Sequence, residues 1–249
     1  MAKTIGGVDR DFKMPQVWKT SVAVDYQVPV SFPLTLTAEF IYTKKINDVM
    51  LDNYNIKNNT SEWEHLNGAD NRLIYPKDFT YYSNINDACV LTNTHKGHGY
   101  TFNITATAEP IKNLNVMAAY THTVMKEISG MPGSNASSAW SGLYTVNGPN
   151  FPTLQNSAYV IPDRLIASVS YKYAKEHFSL FYTGYSPAGY SFFYNGDVNG
   201  DGIKNDLMYI PKDDSEIQFA SDADRQAFWQ FVEQDKYLKN HKGEYAEAY

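Results

Sequence analysis

The chain of 249 residues has one cysteine, Cys89. That excludes an intramolecular disulfide framework and a cysteine-rich zinc site, and leaves the thiol an incidental side chain. No run of about eighteen apolar residues occurs, so no bilayer-crossing helix is encoded. Basic clusters are missing too: the net charge is −6, and nothing favours nucleic acid as a partner. There is no Gly-x-Ser-x-Gly elbow, His-Glu-x-x-His pair or phosphate-cradling loop, and no pair of carboxylates stands out. No catalytic residues can be named, and the chain is not expected to be an enzyme. Its first twelve residues, MAKTIGGVDRDF, lack the apolar core of a signal peptide. The expectation is either a cytoplasmic product or an internal piece of a longer chain.

What the sequence does have is tyrosine, 20 residues against 4 Trp and 13 Phe, and strict alternation. In the stretch 97–127, Tyr100, Phe102, Ile104, Ala106 and Ala108 share one face, opposite Thr101, Asn103, Thr105, Thr107 and Glu109. Leu114, Val116, Ala118, Tyr120 and Val124 repeat the pattern after a turn at Pro110–Asn113. A period of two over ten residues marks a β-strand with one apolar and one polar face. Two similar hairpins flank this one. Together the hairpins span about 17–44, 97–125 and 164–186, turning at Pro29–Pro33, Pro110–Asn113 and Ala174–His177. Residues 1–16 read as irregular, and 57–96, 126–161 and 187–249 as long polar excursions. The last ends in a helical stretch capped by Ser221 or Asp222, with Phe228, Phe231, Val232 and Leu238 at helical spacing.

Short turns alternating with long loops, and strands near ten residues, suit an outer-membrane barrel better than a soluble sandwich, whose strands average five or six. Lys19, Asp25, Glu39, Glu109, Arg164 and Lys172 all fall on the polar register, while aromatics gather towards strand ends on the apolar one. Tyrosine suits half-wet surfaces, either aromatic girdles or a sugar-binding face. The fold class expected is therefore all-β: a partial antiparallel transmembrane β-barrel of about six long strands, with long extracellular loops. About eight strands are the usual minimum for closure, so residues 1–249 are expected to be a single barrel fragment.

One loop has a metal-like pattern. Asp197, Asn199 and Asp201 place side-chain oxygens at alternating positions, with Gly200 and Gly202 for the turns, and Ile203 adds a carbonyl. Asn205 or Asp206 supplies a further oxygen, and such a set can wrap calcium. The acid an EF-hand needs at the twelfth position is replaced by Met208, so the other reading is a Gly/Asn/Asp-rich turn without metal. His95 and His98 lie three apart with no acidic or Cys partner, and read as ordinary loop histidines. Asn58 and Asn135 open short glycosylation sequons of the kind that arise by chance.

Several stretches in order also carry a family resemblance: Asp11–Thr20 (DFKMPQVWKT), Thr35–Lys44 (TLTAEFIYTK), Ser137–Trp140 (SSAW), and Tyr190–Pro211 (YSFFYNGDVNGDGIKNDLMYIP). The helix with Asp235 to Leu238, and Lys242-Gly243, complete the set. The chain resembles the C-terminal barrel portion of TonB-dependent outer-membrane receptors of Bacteroidota, the Oar-like, carboxypeptidase-regulatory-like group. The resemblance implies a barrel of about twenty-two strands filled by a plug, and energy-coupled import of a nutrient ligand. It implies outer-membrane lipid, a plug domain, the remaining strands and the TonB complex as partners. The ligand stays open among small molecules, glycans and peptides. This stretch would supply part of the wall and of the extracellular rim, with calcium rigidifying the rim. The alternatives are a secreted calcium-stabilised glycan-binding β module and a passive porin or adhesion barrel.

Overall fold

A computed structural model describes residues 3–249. It is mostly β, with 45% of residues in strands and 11% in helices. The three predicted hairpins are present. The first pairs β2 (Gln16–Gln27) with β3 (Leu34–Asn53), the second β5 (His98–Ile111) with β6 (Leu114–Glu127), and the third β8 (Asp163–Tyr173) with β9 (Glu176–Tyr185). Two tight turns use residues in the left-handed region, Asn113 at φ 69 and Ala174 at φ 54. Asn tolerates that geometry through local hydrogen bonding. Pro110 lies inside β5 rather than in the turn, at a register shift where its missing N–H breaks no ladder bond.

Three expectations are corrected. Residues 1–16 are not all irregular, because Lys3–Val8 forms strand β1. The excursion 57–96 contains strand β4, Ile85–Thr94, which pairs antiparallel with the upper part of β3. β1 pairs with β4 in parallel, so the sheet is mixed rather than wholly antiparallel. It has nine strands, not six, in the order β1-β4-β3-β5-β6-β8-β9, with β2 on β3 and the short β7 (Gln155–Asn156) on β6. Among the described residues the sheet does not close, and β2 and β9 each have one unpaired edge.

All three short turns lie at one end of the sheet, so every long excursion emerges at the other. There the excursions fold into a cap. Helix α1 (Ala136–Ser141) is started by Asn135, whose side chain accepts from Ser138 N–H. Helices α2 (Asp222–Gln234) and α3 (Lys236–Asn240) follow, with Ser221 as the α2 cap, accepting from Asp224 N–H at 3.1 Å. A two-stranded ribbon pairs β10 (Tyr209–Ile210) with β11 (Glu244–Tyr245). The buried core lies in this cap. One cluster centres on Leu51, Leu73, Tyr75, Cys89 and Trp140, and a second on Met208, Ile210, Val232 and Leu238. Cys89 is fully buried, and burial pushes its thiol up to about 11, which keeps it unreactive.

Candidate functional site

Two features stand out: the uncovered face of the sheet and the Asp197–Asp206 loop. Cross-strand register aligns the apolar positions into continuous rows, for example Val24–Ala38–Ile104–Tyr120–Leu165. Nothing packs over them. Val24 is 63% exposed, Ile104 42% and Leu180 73%. Aliphatic and small side chains (Leu36, Ala106, Ala118, Val116, Ala167) fill the middle of this face. Aromatics flank them: Phe40, Tyr42, Tyr100 and Phe102 towards the cap, with Tyr26, Tyr171, Tyr173 and Phe178 towards the turns. Phe40 stacks on Tyr100 with centroids 6.2 Å apart.

The opposite face carries all six predicted charges and a set of cross-strand hydroxyl contacts. Thr37 donates to Asp25 at 2.6 Å, Thr101 meets Thr123 at 3.3 Å, and Ser170 meets Ser179 at 3.0 Å. The apolar register is interrupted near the cap by His122, which pairs with Asp163 at 2.9 Å. Two histidines flagged by spacing do not form a site: His95 bonds the Ile46 carbonyl at 2.6 Å, and His98 is an exposed strand residue.

The Asp197–Asp206 loop is wound by its own side chains. Asp197 accepts from Gly200 N–H at 2.6 Å and from Gly202 N–H at 2.9 Å. Asn199 Oδ1 accepts from Asp201 N–H, Asp201 Oδ1 from Ile203 N–H, and Asp206 Oδ2 from Val198 N–H. Gly200 at φ 82 and Gly202 at φ 86 make turns that a side chain would strain. Asn199, Asp201 and Asp206 are buried, whereas Asp197 is exposed. Asn205 does not converge on the loop; its Nδ2 donates to the Ser141 carbonyl at 2.6 Å, at the end of α1. Burial pushes the Asp201 carboxyl up to about 7, with Asp206 and Asp197 adding repulsion. Burial also raises Asp206, although Arg72 opposes this. Tyr75 is raised by burial and then by Asp201, Asp206 and Asp197, which places all three carboxylates near its ring.

Spacing gave no sign of the residues that seat this loop. Tyr75 N–H donates to the Asn199 carbonyl at 2.8 Å. Gly148, at φ 86, backs the loop so closely that a Cβ there would lie 2.7 Å from Asp201 Oδ2. Arg72 is fully buried and donates to both Asp70 oxygens through Nε at 3.0 Å and to the Leu207 carbonyl at 2.8 Å. It lies over the rings of Tyr194 and Tyr245, and its Nη1 is 3.6 Å from Asp206 Oδ1. Three carboxylates thus crowd a half-dry turn whose one nearby guanidinium already serves Asp70. The donor set is all hard oxygen, and it fits a calcium ion held by Asp197, Asn199, Asp201, Asp206 and the Ile203 carbonyl. Counting only His, Cys, Asp and Glu, no group of three or more stands in metal-binding geometry among the described residues. Comparison with protein-family models, curated proteins and solved structures found no match.

Proposed function

We propose that this chain is a section of the wall and outward cap of a TonB-dependent outer-membrane receptor, which imports a nutrient ligand by energy-coupled transport. The observation that carries the reading is the apolar register left uncovered across six strands. A soluble sandwich would cover that face with a second sheet, and soluble monomers rarely expose contiguous apolar patches beyond about 600 Å². Lipid covers it instead. Flanking aromatics and a polar opposite face suit a wall between bilayer and lumen. The unpaired edges of β2 and β9 support further strands of the same barrel, since an open edge in hydrocarbon leaves backbone groups unsatisfied. In this reading the polar face looks onto the plug, the TonB complex acts through the rest of the receptor, and the cap forms part of the ligand-capturing rim. Calcium in the Asp197–Asp206 loop neutralises the crowded carboxylates and stiffens that rim; its role is structural.

The test is membrane association. The complete reading frame is expressed in a bacterium with an outer membrane, and its membranes are extracted with alkaline carbonate and urea. Retention in the outer-membrane pellet is expected. Release as a folded protein without detergent would overturn the receptor reading in favour of the soluble calcium-stabilised module.

A further inference from the structure

We infer that a small cavity at the base of the cap binds an ammonium group, with Glu127 as its acceptor. Glu127 is the last residue of β6 and only 7% exposed. Its Oε2 accepts from Lys45 Nζ at 2.7 Å, and the same Nζ donates to Asp48 Oδ2 at 2.6 Å. One cation therefore serves two carboxylates, and the trio keeps a net negative charge. Glu127 Oε1 has no hydrogen-bond partner among the described residues. A buried charged acceptor left unpaired is costly, and such atoms in folded proteins call for a partner.

The space for that partner lies beside it. A cavity of about 70 Å³ is bounded by Glu127, Gly130, Leu143, Tyr144, Gln155 and Tyr159. A Cβ built on Gly130 would lie 3.3 Å from Glu127 Oε1 and 3.0 Å from Tyr159 Cε2. The free oxygen and the ring edge therefore flank one opening, kept clear by the missing side chain at position 130. Tyr159 is 72% exposed, so the cavity has a route to solvent past its ring.

The walls select the guest. A bare calcium or magnesium ion needs six or more oxygens, which these rings and aliphatic groups do not supply. A water would bond the oxygen but leave the charge. An ammonium head donates to Oε1, balances the charge and is favoured by neighbouring aromatic rings. One water needs roughly 10–15 Å³ by this measure, so the cavity also admits a short carbon stem. The guest is thus a primary amine, free or at the end of a larger ligand. This inference does not depend on membrane insertion, because every residue involved lies in the cap or where the sheet enters it.

The test is calorimetric titration of the purified full chain, in detergent where required, with ethylammonium chloride; potassium chloride and ethanol serve as matched controls. Saturable binding of ethylammonium alone is expected. Glu127→Gln should weaken it roughly tenfold or more, the usual weight of a hydrogen bond to a charged group. Gly130→Ala should abolish it by filling the opening while leaving the Lys45 pair intact, so it carries the test even where Glu127→Gln fails to fold. Equal binding by the Gln variant, equal binding of potassium, or no saturation would each overturn the assignment.

Discussion

Replacing Ile104 by Arg separates a lipid-facing from a water-facing sheet. Ile104 sits mid-way along β5 between Ala38 and Tyr120, on the uncovered register, and is 42% exposed. In water, Arg would forfeit only the buried part of the isoleucine. Full burial of such a side chain is worth about 1.5–3 kcal/mol, so the loss would be about 1 kcal/mol. The Arg stem would recover some of that by lying along its neighbours. In a bilayer, the same guanidinium at mid-depth costs about 2–4 kcal/mol. The control is Asn103→Arg, one residue away on the polar face. Val24→Arg against Ala23→Arg repeats the contrast on β2, where Val24 is 63% exposed. The assay is the urea midpoint for unfolding from lipid vesicles, together with the fraction reaching the outer membrane in cells. Ile104→Arg and Val24→Arg should lose at least about 2 kcal/mol relative to their controls. Equal tolerance on the two faces would refute the assignment of the apolar register to lipid.

The cap yields further expectations. Arg72→Met leaves Asp70 and Asp206 buried without their cation and should cost about 3–5 kcal/mol, read as early proteolysis of the cap while the sheet stays protected. Gly148→Ala puts a Cβ 2.2 Å from the Tyr75 hydroxyl at a φ of 86. It should cost at least the roughly 1–3 kcal/mol of backbone strain, seen as a lower cap melting temperature. Asn150 accepts from Trp140 Nε1–H and Asn53 N–H, both at 2.8 Å. Asn150→Ala should therefore destabilise the cap by roughly 1–3 kcal/mol for each orphaned donor, measured by hydrogen exchange at Asn53. Calcium should raise the cap melting temperature and a chelator reverse it, with both effects gone in an Asp197→Asn, Asp201→Asn double variant; a melting curve indifferent to saturating calcium would end the metal reading.

The three hairpins were legible because each strand alternates without interruption, and a slip of one residue would send every apolar side chain to the other face. The Ser221 cap and the helix after it were legible for similarly local reasons. β1 was not, because Lys3–Val8 has two glycines, no alternation and a parallel partner more than eighty residues away. β4 lacks a clean period as well: INDACVLTNT mixes apolar and polar residues, and its strand is settled by pairing with the end of β3. In the Asp197–Asp206 loop the spacing identified the side chains that wind the turn but misassigned Asn205, which a distant helix end recruits. Arg72, Tyr75 and Gly148 meet that loop from more than fifty residues away, and only tertiary packing brings them there.

The length of β3 has a mechanical consequence. Its 20 residues run roughly 65 Å at strand rise, whereas about ten residues suffice to cross a bilayer. Its lower half is bonded to β2 and β5 and its upper half to β4, whose buried residues anchor the first cap cluster. The strand is a mast stepped in the wall and stayed by the cap, with no hinge between. A ligand landing on the cap therefore cannot swing it aside as a lid: tilting it means shearing the β3 ladder or dragging the staves with it. Passage has to open through whatever fills the lumen, and the cap meets incoming ligands as a fixed portal.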